Sequence, residues 1–228
     1  MEFRSAEEVK AEYERIMGEP LGSLFHALWQ DVAWVYREWH EYVALFGTKP
    51  SRVELLNKTA PIFFRIVGDS LWEATVLHIA RLTDPPKSVG KANLTINALS
   101  SLISDPQLSM KISELTQKAV LAAEFCRDWR NRHIAHRDLN LALSNGAEPL
   151  KPASREKVKI ALRRIVEVLN GINLHYIEST IFFDAPDFPG GAMSLLYVLD
   201  DGLKMGAEQQ DRLKRGEVRG NDFPARDL

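Results

Sequence analysis

The chain has 228 residues, with 29 basic and 31 acidic side chains, six His and one Cys; 45% of it is apolar and 26% charged. Those values suit one globular domain with an extension, long enough to bury a core without disulfides or a structural metal. A net charge of −2 excludes a strongly basic coat for nucleic acid, and the lone Cys126 excludes an intramolecular disulfide framework.

Met1 to Arg15 is charged throughout, without the apolar stretch of a signal peptide. No uncharged run reaches the roughly 18 residues of a membrane span. The expectation is a cytoplasmic protein with no membrane partner. Ser5-Ala6-Glu7-Glu8 fits a capping box, in which hydroxyl and carboxylate satisfy orphan amides reciprocally. Ser51-Arg52-Val53-Glu54 fits a second, Asp105-Pro106 reads as N-cap and first helical residue, and Ser154 opens another helix.

Prolines frame the helices, because proline clashes with the preceding turn and lacks a donor. The Pro-free tracts are 21–49, 62–84, 107–148, 153–185 and 190–223. Phe25, Leu28, Val32, Val35, Trp39, Tyr42 and Phe46 alternate steps of three and four, forming one apolar stripe. Trp29, Trp34, Tyr36, Trp39 and Tyr42 therefore read as bundle core rather than a base-stacking platform. Leu71, Thr75, His78 and Leu82 make a shorter stripe, and Val158, Leu162, Ile165, Val168 and Ile172 another. Gly191–Lys214 reads as a further helix, and Ile181-Phe182-Phe183 is the one compact strand candidate. The pattern predicts an all-α bundle of about six to seven helices. It divides into a helical bundle over 1–180, a helical extension packed on it over 181–215, and a flexible tail over 216–228.

Phosphate loops, dinucleotide fingerprints and nucleophile elbows are missing from the sequence. The chemistry-bearing segment is Phe125 to Asp138, toward the end of the longest Pro-free tract. A seam of Leu108, Ile112, Leu115, Ala119, Ala122, Cys126 and Trp129 continues in rhythm onto His133 and His136. Arg127, Arg130, Arg132 and Arg137 surround them against one acid, Asp128. Imidazoles and guanidiniums ending a buried seam are costly unless paired or used. A metal reading of the His133/His136 pair lacks the further donors such a site needs. His78 lies on an apolar stripe, where a hydrogen-bonded core histidine is the default. Arg81 and Asp84, three apart, can pair with each other.

Arg130-Asn131 followed by His136 matches the Arg-polar…His signature of HEPN domains. The string Trp129-Arg130-Asn131-Arg132-His133-Ile134-Ala135-His136-Arg137-Asp138 resembles the abortive-infection, AbiU-type branch of that superfamily. Leu71-Trp72-Glu73 and His78 to Asp84 are similar to it as well. The resemblance implies an HEPN-like helical bundle that forms a homodimer, without a cofactor or metal. Many such domains are metal-independent endoribonucleases of toxin or phage-defence type, with RNA as partner and in some cases a cognate antitoxin. Others are inactive RNA- or protein-binding modules. By position, Arg130 and His136 become the catalytic pair and Asn131 the polar residue beside the Arg. Arg127, Arg132, His133, Arg137, His78 and Arg81 become RNA-binding or supporting residues. Imidazole titrates near neutral pH and suits proton transfer, whereas guanidinium forks onto phosphate oxygens. On an ideal helix the two point about 120° apart, so a second copy or a distorted helix end would be needed for convergence.

Overall fold

Four helices begin on or beside a proline in the computed structural model, which describes residues 4–184, 190–220 and 222. Proline's missing donor costs nothing in a first turn, and its fixed φ is already helical. Helix α1 spans Ala6–Met17, α2 Glu19–Tyr42, α3 Pro50–Thr59 and α4 Pro61–Leu82. A two-strand hairpin follows, β1 (Lys87–Ser88) and β2 (Lys91–Ala92), then α5 (Pro106–Ala122) and α6 (Glu124–Trp129). A π-helical turn over Arg130–Ile134 precedes α7 (Leu139–Ala142), α8 (Arg155–Ile177) and α9 (Ala192–Lys214). The fold is all-α, and among the described residues no helix is long and apolar enough to cross a membrane.

Local signals set most of these boundaries. Ser5 and Glu8 close the capping box of α1, with Ser5 N donating to Glu8 Oε2 at 2.7 Å and Glu8 N to Ser5 Oγ at 3.2 Å. Asp105 caps α5 through Gln107 N, and Ser154 caps α8 through Lys157 N. Ser51 is not a cap. Pro50 already occupies the first turn of α3, and extended Lys49 is the N-cap, as a residue before proline tends to be extended.

The residues divide into two units, Met1–Trp39 with Leu71–Ala185, and His40–Ser70 with Pro186–Leu228. In the first, the α2 stripe of Phe25, Leu28, Val32, Val35 and Trp39 is buried, as are Val158, Leu162, Ile165, Val168 and Ile172 of α8. Each such side chain contributes roughly 1.5–3 kcal/mol by leaving water. Helices α5 and α8 pack closely at Gly171, where a Cβ would sit 2.8 Å from Ile112 Cδ1. Trp29 and Tyr36 pack on Phe183, whereas Trp34 is exposed and donates to Glu38 Oε1 at 2.8 Å.

The strand expected at Ile181–Phe183 is irregular backbone. Among the described residues it has no strand to pair with. Asn170 substitutes for one, accepting from Ile181 N at 2.6 Å and donating to Ile181 O at 3.0 Å. In the second unit α3 packs with α9, and Glu41 Oε2 accepts from Ala192 N at the start of α9. Arg212 pairs with Asp222, which also accepts from Arg219 N. Residues 221 and 223–228 of the expected tail lie outside the described residues.

Candidate functional site

The tract 107–148 is not one helix. Ala123 leaves helical geometry at φ −91°, ψ 3°, and α6 restarts with Phe125 and Cys126 both buried. Burial pushes the Cys126 thiol well above its usual range, so it is a packed side chain rather than a nucleophile. After Trp129 the chain widens into the π turn, closed by Ala135 N to Arg130 O at 2.8 Å, and then leaves the helix. Such turns within helices are frequent at functional sites. The ideal-helix angle between Arg130 and His136 therefore no longer applies, and both line one open cleft of about 800 Å³.

The opposite wall of that cleft is the end of α4. Thr83, Asp84, Pro85 and Pro86 line it with Ser88, Asn97, Val120, Arg127, Asn131 and Ala135. A helix end leaves carbonyls without intrahelical donors. Here side chains supply them. Thr95 Oγ1 donates to Leu82 O at 3.0 Å and to Asp84 O at 2.7 Å; Asn97 Nδ2 donates to Thr83 O at 3.0 Å and Asp84 O at 2.9 Å. Arg127 Nη2 donates to Thr83 O at 2.9 Å, placing a cation where the helix dipole favours one.

Asp84 then takes Arg130. Arg130 Nη1 donates to Asp84 Oδ2 and Nε donates to Asn131 Oδ1 at 3.0 Å, while Nη2 keeps no protein partner. Asp84 does not pair with Arg81. It lies beyond the last helical turn, where its carboxylate meets Arg130, and Arg81 is exposed without an ion pair. Asp84 is the sole acid of the lining against Arg127 and Arg130. His136 is exposed and makes no hydrogen bond or ion pair, so its imidazole is open to a ligand.

The other expected residues lie elsewhere. Arg132 is held by Asp128 at 3.4 Å and Asp138 at 3.5 Å; Asp128 also accepts from Lys151 N at 2.7 Å, and Trp129 Nε1 donates to Lys151 O at 2.9 Å. These contacts fasten the loop before α8 to the end of α6, which Arg132 of the π turn joins through Asp128. His133 packs on Trp129 with ring centroids 5.5 Å apart and faces Glu73 at 3.8 Å, so the two imidazoles of the seam do not share a wall. Arg137 is exposed and unpaired. His78 sits between two carboxylates, with Nδ1 2.8 Å from Glu38 Oε2 and Nε2 3.7 Å from Asp31 Oδ1. Among the described residues no group of three or more His, Cys, Asp or Glu side chains is placed to hold a metal ion.

Sequence reading missed Thr95, Asn97 and Ser88. Their one signal is position: short polar side chains soon after a Pro-Pro stop, where a helix end needs donors. No curated protein and no solved structure matches the chain. The family model AbiU2 of the HEPN class matches residues 18–187, which include α4, the hairpin, the π turn and every residue of the cleft. The chain belongs to the HEPN AbiU2 family.

Proposed function

We propose that this protein is a metal-independent endoribonuclease of toxin or phage-defence type, with Arg130 and His136 as its catalytic pair. The supporting observation is their placement on one open cleft, with His136 unpartnered and one guanidinium nitrogen of Arg130 uncommitted. Neutral His136 takes the proton of a 2′-hydroxyl. The 2′-oxygen attacks the adjacent phosphorus, the 5′-oxygen leaves with a proton from an acid, and a 2′,3′-cyclic phosphate remains. Arg130 stabilises charge on the non-bridging oxygens, where a preorganised donor is worth several kcal/mol. Asn131 orients the guanidinium through Nε. One imidazole cannot be base and acid in the same step. His136 is the single imidazole on the cleft, so the reading includes a homodimer in which the second His comes from a second copy.

The inactive RNA- or protein-binding reading draws on Asp84, whose carboxylate occupies part of the guanidinium that a phosphate would use. Incubating wild type, Arg130→Ala and His136→Ala with total cellular RNA, with and without EDTA, separates the readings. Cyclic phosphate ends in both conditions, lost by roughly 10²–10⁴-fold in His136→Ala, support the nuclease. RNA retained uncut with a steep salt dependence selects the binding module. Cleavage abolished by EDTA overturns metal independence.

A further inference from the structure

The β1–β2 hairpin stands on the rim of the cleft, which Ser88 lines. Residues 85–104 contain two charged side chains, Lys87 and Lys91, and no acid, in a chain whose net charge is −2. Both lysines are exposed, and neither side chain makes a hydrogen bond or an ion pair. The hairpin closes through Val89 and Gly90 at φ 49° and 77°. Positive φ at both positions belongs to the tight turn whose twist matches paired strands. Val89 is a strained occupant, since β-branched residues avoid that region.

The short turn fixes the register, with Ser88 opposite Lys91 and Lys87 opposite Ala92. Directly paired residues project on the same face of a ribbon, and successive residues project on opposite faces. Lys91 therefore shares the face of Ser88, a residue of the cleft lining, and Lys87 projects from the other. We propose that the hairpin is a phosphate-gripping finger for single-stranded RNA, in which Lys91 holds a backbone phosphate flanking the one bound at Arg130. This rests on reading the cleft as an RNA site. Lys91 contacts backbone, so the finger adds affinity without base preference.

The test uses the full chain carrying His136→Ala, which binds without cutting, and a labelled single-stranded RNA of mixed sequence titrated across a salt series. Adding Lys91→Ala weakens binding several-fold at low salt and flattens the slope of log K against log salt by about 0.7, the value for one phosphate on a single strand. Lys87→Ala leaves the slope unchanged, and Lys91→Arg retains it. With His136 intact, Lys91→Ala raises KM for cleavage and leaves kcat unchanged. An unchanged slope in Lys91→Ala, an equal loss in Lys87→Ala, or equal competition by duplex RNA overturns the finger while the nuclease reading stands. A parent protein that binds no RNA at all overturns both.

Discussion

Asp84 Oδ1 and Arg127 Nε face each other across 4.0 Å, both buried and neither making a hydrogen bond. One carboxylate thus serves two guanidiniums, bonded to Arg130 and leaning on Arg127 by charge alone. Buried polar atoms without partners cost free energy, and such debts gather where a protein binds or reacts. Asp84 orients Arg130 and also offsets the charge of the arginine pair.

Substituting Asp84 separates those roles. Asp84→Asn keeps an acceptor for Arg130 Nη1, whereas Asp84→Ala removes it and leaves a partly buried guanidinium unsatisfied. Asp84→Ala should lose about 1–3 kcal/mol in urea unfolding and most cleavage; Asp84→Asn should keep more of both. Identical denaturation midpoints for Asp84→Ala and wild type would count against the positioning role.

His26, on α2, should make the fold sensitive to acid. Burial, with Lys10 second, holds its imidazole below its ordinary value of 6.5, against the opposing pull of Glu14 and Glu7. The unfolded chain therefore takes the proton first as pH falls. Stability is lost as pH drops through the ordinary His range and stops falling below the folded value. Between about pH 7.5 and 5.5, His26→Gln should lose less Tm than wild type. Parallel Tm curves for the two proteins would refute this.

Two glycines mark close helix packing, and their neighbours differ in how far they can yield. A Cβ at Gly22 would meet Tyr13 C and O and Glu14 N of α1 at 2.5 Å, whereas at Gly171 it would meet the tips of Ile112 and Leu115. Overpacking of this kind costs roughly 1–3 kcal/mol, and side-chain tips relax more cheaply than backbone. Gly22→Ala should therefore destabilise more than Gly171→Ala in thermal unfolding. The reverse order would contradict the packing described for α1.

Glu41 acts as a distant N-cap. Its carboxylate accepts from Ala192 N at 2.5 Å, where α9 has no cap of its own, and a Cβ at Gly191 would sit 2.4 Å from Glu41 Oε1. Glu41→Ala should cost about 0.5–2 kcal/mol, as loss of a cap does, and Gly191→Ala should cost a similar amount by displacing the carboxylate. The double variant should be no worse than the more damaging single, which a double-mutant cycle measures. Fully additive losses would exclude the cap.

The elements legible in the sequence are those governed by short-range physics. Capping at Ser5, Asp105 and Ser154 needs only the next three residues, and the stripes of α2 and α8 need only helical periodicity. The string from Trp129 to Asp138 likewise carries a resemblance to the HEPN class, to which the match over residues 18–187 assigns the chain. Where a local pattern met a stronger local rule it failed, as at Ser51, where Pro50 already held the first turn. Ile181–Phe183 has strand composition, yet a strand requires a partner, and its backbone found the side chain of Asn170 instead.

By itself, the sequence determined an all-α chain of this family, with cations and imidazoles collected at one helix end. Tertiary structure alone decided which of them share a cleft. The break at Ala123 and the π turn end the seam's rhythm, so His133 turns to Trp129 and Glu73 while His136 stays open beside Arg130. Arg130 is oriented by Asp84, 46 residues away along the chain. Periodicity assigns faces to a regular helix; it carries no information on a widened turn or on a carboxylate brought in from beyond the end of another helix. Those depend on which buried carbonyls and charges must be satisfied once the helices have packed.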